Sequence, residues 1–269
     1  MNIGVISDLH VDRHQTLKPN DYLTVLLNLI NEKNIELLLI AGDISNSYKL
    51  TAQFINDIER ESGKKVLFIP GNHDYWTTDN DASSVEILEF YMNMKQCLIG
   101  KPYVINGDWA IVGNTGWYDY TYADPKFSLE KIEKRKYYGA TWQDKVKIDW
   151  SIEDRKLSMI AAQQTIKDIE QVKDKKVILM THIVTHPKFA VPTPHRLFDY
   201  FNAFIGTSDF NRIYQNYNVQ YSIMGHVHFR NAFNEQGVAY ICPCLGYQRE
   251  WRTAEIENEM RHALYQFAI

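Results

Sequence analysis

Cysteine is scarce. Cys97, Cys242 and Cys244 are the only three in 269 residues, too few for a disulfide framework. That excludes the disulfide-stapled secreted scaffolds and makes the cytoplasm the expected compartment. No apolar run approaches the length of a membrane span. The opening stretch MNIGVISDLH has neither a basic n-region nor a small-residue cleavage site, so it does not read as a signal peptide. Basic charge is not in excess either: 29 Lys and Arg stand against 33 Asp and Glu, a formal charge of −4. A duplex-binding basic face is therefore not favoured, although a local patch would survive that count. Internal repeats, low-complexity tracts and flexible linkers are also missing. What is present is ordinary for a globular chain, 45% hydrophobic and 23% charged, with 17 tyrosines unevenly placed.

The chain alternates strand and helix patterns. NIGVIS, IELLLIAG and KKVLFIPG are apolar runs of strand length. Between them, NDYLTVLLNLINEKN places Leu23, Leu26, Leu27 and Ile30 at helical spacing behind Asn20 as an N-cap. KLTAQFINDIERESG ends at Gly63, a left-handed stop. Strands separated by helices in this rhythm predict βαβ units and a mainly parallel sheet covered on both faces. SSVEILEFYMNM reads as a further helix and WAIVGNTGW as a strand and turn. Residues 116–150 then mix aromatics with lysines and show no period, which reads as a lid-like insertion packed over a single domain spanning 1–269. The helix pattern returns in SIEDRKLSMIAAQQTIKDIEQV, with Ser151 and Asp154 as an approximate capping box. KKVILMTH and VQYSIMGHVH are strands flanking a short helix in DFNRIYQNYN; FRNAFNEQGVAYICP is a hairpin, and RHALYQFAI a closing strand.

Five of these strands end in the same kind of chemistry. SDLH gives Asp8 and His10, AGD gives Asp43, GNHD gives Asn72 and His73, VILMTH gives His182, and GHVH gives His226 and His228. In an open α/β sheet the carboxyl ends of strands are where ligands bind. Each piece alone has a plain reading as a turn, a helix cap or a core histidine. Five strand ends carrying imidazole, carboxylate and amide together point instead to divalent transition metals. Seven of the residues suffice for two ions if one aspartate bridges. Two ions about 3.5–4 Å apart clamp the attacking and leaving oxygens at phosphorus. Gly42, Gly71 and Gly225 beside them allow tight turns and close backbone approach.

In this order, the motifs DLH, GD, GNHD, a strand-terminal His and GHVH resemble the calcineurin-like metallophosphoesterase superfamily. The resemblance implies an α/β fold of two packed mixed β-sheets flanked by helices, a four-layer αββα sandwich. It implies one ion on Asp8, His10, Asp43 and His228 and another on Asp43, Asn72, His182 and His226 (manganese, iron or zinc), with a hydroxide shared between them attacking phosphorus. His73 matches the superfamily's non-ligand histidine, which contacts the phosphate and protonates the leaving oxygen. Asp74 is either an acceptor that orients His73 or Asn72, or a turn residue. The protein serine/threonine phosphatases of the superfamily carry an arginine in the second motif and GNHE in the third. GDISNSY has no arginine and GNHD ends in Asp. The extended first motif of the repair nucleases is also missing. The pattern is closer to bacterial phosphodiesterase-like members, and a small phosphate ester is the expected substrate. A nuclease and a non-catalytic scaffold are the alternatives; a scaffold would have no need to keep His73.

Substrate choice must come from outside the metal motifs. Trp117, Tyr118 and Tyr120 follow a strand end and are expected to face the site, with Lys134, Arg135 and Lys136 nearby. An aromatic mini-core is the favoured reading for most of the remaining insertion. His186 in THIVTHP and Arg249 in CPCLGYQREW are candidate substrate contacts, and Gly246 and Tyr247 candidate wall residues. Cys242 and Cys244 read as buried structural thiols.

Overall fold

Alternating apolar strands and polar loops set the frame of the computed structural model, which describes residues 1–78 and 81–269. In chain order the strands are β1 (Asn2–Ile6), β2 (Leu37–Ala41), β3 (Lys65–Ile69), β4 (Tyr103–Val104), β5 (Trp109–Asn114), β6 (Lys136–Tyr137), β7 (Ala140–Thr141), β8 (Lys176–Thr181), β9 (Val219–Ile223), β10 (Asn231–Glu235), β11 (Val238–Cys242) and β12 (Tyr265–Ala268). The helices are α1 (Pro19–Glu32), α2 (Tyr48–Ser62), α3 (Ser84–Asn93), α4 (Leu129–Glu133), α5 (Asp144–Lys147), α6 (Asp154–Glu170), α7 (Phe198–Phe201), α8 (Asn211–Asn216) and α9 (Ile256–Ala263). One sheet runs β12-β1-β2-β3, its first three chain-order strands parallel and β12 antiparallel beside β1. The other runs β10-β11-β9-β8-β5-β4, with a parallel centre and an antiparallel strand at each edge.

Strand alternation divides the apolar residues between two cores. Ile111, Ile178, Met180 and Ile223 point from the second sheet into the interior shared with Ile3, Val5, Leu39 and Leu67 of the first. Val112, Val177 and Leu179 point the other way, toward Ala161, Ala162 and Ile169 on α6. Both faces of the central strands are thus covered, which is why they are apolar throughout. These are the two packed mixed sheets flanked by helices that the family resemblance implies.

Two helix starts differ from expectation. α1 begins two residues earlier, at Pro19 with Lys18 as N-cap, and Asp21 accepts from the Lys18 N–H at 2.7 Å. Proline at the first helical position needs no N–H, so Asn20 is not required as a cap. At α6 the N-cap is Glu153, with no side-chain cap. The Asp154 carboxylate is taken instead by the Trp117 indole N–H at 2.9 Å and by Tyr120 and Arg135. The hairpin between β10 and β11 turns on Gln236 and Gly237, both at positive φ, 50° and 82°, a combination typical of tight two-residue turns. No helix among the described residues is long and apolar enough to cross a membrane.

Candidate dimetal centre

The loops after β1, β2, β3, β8 and β9 meet at one edge, where backbone hydrogen bonds stitch them together. Asp8 N–H donates to Gly42 O (3.0 Å), His10 N–H to Asp43 O (3.0 Å) and Gly225 N–H to His182 O (2.9 Å). Asp8, His10, Asp43, His226 and His228 all have left-handed backbone, φ 43–73°. Non-glycine residues rarely adopt it, and it persists where surrounding structure enforces it, typically at functional sites. Gly71 is needed for contact: a Cβ there would stand 2.2 Å from Asp43 Oδ1.

The side chains arrive with their acceptors turned inward. Asp8, His10, Asp43 and His228 form one group and Asp43, His182 and His226 another, each with donor atoms within 4.8 Å of one another. His182 Nδ1 lies 2.8 Å from Ala41 O, His226 Nε2 2.9 Å from Phe204 O, and His228 Nδ1 2.9 Å from Glu250 Oε2. Those acceptors require a proton on each named nitrogen, which leaves the other nitrogen of each neutral ring bare. The bare His182 Nε2 and His226 Nδ1 both face Asn72 Oδ1, at 3.0 and 2.9 Å. The His228 Nε2 faces His10 Nε2 at 3.0 Å. Asp8 Oδ2, Asp43 Oδ2 and His10 Nδ1 are buried without a hydrogen-bond partner. Converging lone pairs and orphaned carboxylate oxygens repel unless cations lie between them, so the residues fit two divalent ions. Asp43 is the side chain common to both groups. Burial lowers the His182 imidazole, but the Asp43 carboxylate outweighs it and holds the ring up at about 9, so a cation taken up there must displace the His182 Nε2 proton. Burial and the His182 charge push His226 down to about 3.

The family model described as calcineurin-like phosphoesterase matches residues 1–230. The chain belongs to that family. It is a metal-dependent hydrolase of phosphate esters. Among its relatives is the acyl-carrier-protein phosphodiesterase PptH of Mycobacterium tuberculosis, 24% identical over 97% of this chain and 83% of the relative. The crystal structure of that phosphopantetheinyl hydrolase superposes with TM-score 0.77 at 20% identity, over 99% of this chain and 95% of the other. A dimetal phosphatase from Danio rerio superposes with TM-score 0.56 at 14% identity, over 90% and 86%.

Around this phosphoesterase centre lies a cavity of about 460 Å³. His73 stands on its wall, stacked on Trp76 at 3.8 Å. Its Nδ1 lies 2.7 Å from Asn46 Oδ1, so Nδ1–H donates there and Nε2 is left for the cavity. Tyr247 OH is 3.3 Å from that Nε2. Burial pushes His73 down to about 4 despite the raising effect of Asp43. The free protein therefore holds it neutral, and an anionic substrate must raise its proton affinity before it can act as an acid. Asp74 orients neither His73 nor Asn72 among the described residues. Its carboxylate accepts from Ile44 N–H, Ser45 N–H, Gly71 N–H and Thr51 OH, clamping the loops after β2 and β3.

The aromatic candidates are corrected by burial. Trp117 and Tyr118 are 1% and 0% exposed and pack with Trp150 and Phe204 beneath segment 116–150. They follow a strand end, but the Asp154 and Asp144 carboxylates draw their polar atoms inward. Tyr120 also bonds Asp154 and lines a separate cavity with Arg135. His186 sits against Phe233 and Tyr240, 3.7 Å from Glu235, and does not line the metal-side cavity. Arg249 and Tyr247 do line it. Trp117→Ala should lower stability by about 3–5 kcal/mol, the cost of truncating a core aromatic. Denaturant unfolding with little change in free energy would contradict the core placement.

Asp144 had no sequence signal. It lies 1% exposed at the start of α5. Its Oδ1 accepts from Asn72 Nδ2 (2.9 Å) and the Trp76 indole (2.8 Å), and its Oδ2 from Asn72 (3.1 Å) and the Trp142 indole (2.9 Å). This fixes Asn72 with Oδ1 toward the histidines. In Asp144→Asn an amide N–H must face one of those donors. The substitution should weaken metal affinity by about 10–100-fold, as loss of an outer partner of a ligand does. Metal titration that finds wild-type affinity would remove this positioning role.

Proposed function

We propose that the protein hydrolyses phosphate diesters, using Asp8, His10, Asp43, Asn72, His182, His226 and His228 to hold two divalent ions. Their mixture of imidazole, carboxylate and amide donors suits manganese, iron or zinc. The observation that carries the diester reading is the cavity's two unlike ends. Trp142, 5.6 Å from His226, stands at one end with Val191, Phe198 and Ile205. Tyr247, 4.4 and 4.5 Å from His10 and His228, stands at the other with Arg13 and Arg249. A phosphorus held between them has room for an ester arm on each side. When bound, the ions supply a water of lowered pKa and screen the phosphoryl charge. His73 presents Nε2 to the leaving oxygen, held by Asn46 behind and Trp76 beneath. Segment 116–150 acts as a lid that contributes Trp142 and Asp144. Three buried free thiols support residence in the cytoplasm.

The relative's named substrate, a phosphodiester on an acyl-carrier protein, is the first natural candidate, because an apolar wall suits an extended uncharged arm. The test is a panel on manganese-loaded protein. Bis(p-nitrophenyl) phosphate should be hydrolysed with kcat/KM at least about tenfold above p-nitrophenyl phosphate, a difference of roughly 1.4 kcal/mol. Phosphopantetheinylated carrier protein should be the better substrate still. The opposite ranking, monoester above diester, would overturn the diester reading.

A further inference from the structure

The polar end of the cavity holds more positive charge than a lone scissile phosphate beside two cations calls for. Arg13 reaches it from the loop after β1 and Arg249 from the short helical turn Gln248–Glu250. Their guanidinium carbons lie 5.3 and 4.9 Å from the centre of the same ring, Tyr247. That ring's hydroxyl is the one 3.3 Å from His73 Nε2. Arg13 has no carboxylate partner among the described residues. Arg249 has only Glu250 Oε1, at 3.6 Å. The other oxygen of Glu250 accepts from His228 Nδ1 and from the Tyr247 N–H, at 2.9 and 2.8 Å. Of these two cations only Arg249 has a carboxylate at ion-pair distance, and that carboxylate is already committed to His228 and the Tyr247 N–H. The surplus is local, because the whole chain carries −4.

We propose that Arg13 and Arg249, gathered around Tyr247, form a subsite for a second anionic group on the substrate, separate from the phosphate being cleaved. The proposal rests on the phosphoesterase reading above and deepens it. Both guanidinium groups sit at the cavity mouth rather than in the metal clusters, so a group they bind lies beyond the scissile phosphorus. An arginine fork matches a phosphate or carboxylate with two parallel hydrogen bonds. Contact with a tyrosine face holds a guanidinium without consuming its donors. Among the described residues, the opposite end of the cavity offers no lysine or arginine. The fitting substrate class is therefore a phosphate ester with one uncharged, largely apolar arm and one arm that ends in an anion.

Three probes separate this role from simple attraction to the scissile phosphate: propyl phosphate, 1,3-propanediol bisphosphate and 3-phosphooxypropionate. Binding to manganese-loaded protein is measured by calorimetry for wild type, Arg13→Ala, Arg249→Ala and the double variant. Wild type should bind the bisphosphate about tenfold or more tighter than propyl phosphate, the scale of one charge-assisted pair. In the double variant that ratio should fall below about threefold, with Arg→Lys variants in between because charge remains and the fork is lost. A ratio raised by the bisphosphate alone identifies a phosphate subsite; one raised equally by 3-phosphooxypropionate identifies a general anion subsite, and both support the proposal. If the substitutions weaken all three probes alike, the arginines serve the scissile phosphate and the proposal is overturned. Bis(p-nitrophenyl) phosphate hydrolysis by the same wild-type protein tests the underlying reading separately. Hydrolysis with an unchanged ratio overturns the subsite alone, and no hydrolysis overturns both.

Discussion

Asp43→Asn protein should take up neither divalent ion, and its hydrolysis of any phosphate ester should fall by more than about 100-fold, beyond the cost of losing an outer partner of a ligand. Asp43 is the only side chain shared by both donor groups. Its Oδ2 is buried with no hydrogen-bond partner and lies 3.6 Å from His10 Nε2. Its Oδ1 lies 3.3 Å from His182 Nε2 and accepts the His73 N–H. Asparagine removes one negative charge from each group at once. The first group keeps a single carboxylate, Asp8, and the second keeps none. An amide N–H must also point at either the His73 N–H or the space between the histidines, and both are wrong for a donor. The fold itself should persist, because the left-handed backbone at this residue, φ 55°, is one asparagine adopts readily. The measurements are metal content by plasma mass spectrometry and circular dichroism on the same sample. A folded variant that retains two ions per chain and full activity would show that the bridging assignment is wrong. One that loses a single ion would show that Asp43 serves only one group.

The parts of this architecture legible in the sequence are those where chemistry restricts residue type at a position set by the fold. Parallel strands buried on both faces leave continuous apolar runs, so β1, β2, β3 and β8 could be read directly. Metal sites draw on few residue types, here His, Asp and Asn at strand ends, so candidates as distant as Asp8 and His228 could be grouped without a structure. The aromatic residues after β5 carried no such restriction. Trp117 beside a strand end looks the same in sequence whether it faces a cleft or the core. Its direction is decided by Asp154, 37 residues away, whose carboxylate takes the indole N–H. Asp144 and Asn46 were invisible for a related reason: each is a short polar residue outside any periodic sequence pattern, and its value lies wholly in what tertiary packing brings to it. Asp144 sits among lysines in QDKVK and reads as a solvated charge. Arg13 was within reach, because it follows the candidate ligand His10 by three residues on the same loop.

His73→Ala should keep both ions and lose about 10²–10⁴ in turnover, the worth of a general acid. The ring is a wall of the cavity, with Nε2 4.0 Å from Asp43 Oδ2, and it belongs to neither donor group. Its backbone N–H, not its side chain, is what supports Asp43, and alanine preserves that bond. Metal content should therefore be unchanged. The loss should depend on the leaving group. A nitrophenolate departs without a proton, so the variant should approach wild type on bis(p-nitrophenyl) phosphate. An alkoxide departs poorly unless protonated, so the full loss should appear with an alkyl ester. The low proton affinity of the free ring, about 4, sharpens this expectation. At neutral pH the free ring is unprotonated, and only the charge of a bound phosphate can favour the imidazolium form. The acid is then assembled together with the substrate, and Asn46 behind Nδ1 keeps the acidic Nε2–H aimed at the leaving oxygen. An equal loss on good and poor leaving groups would leave His73 as a phosphate-binding residue only. A loss of metal would make it a ligand, because no other role of the side chain reaches the ions.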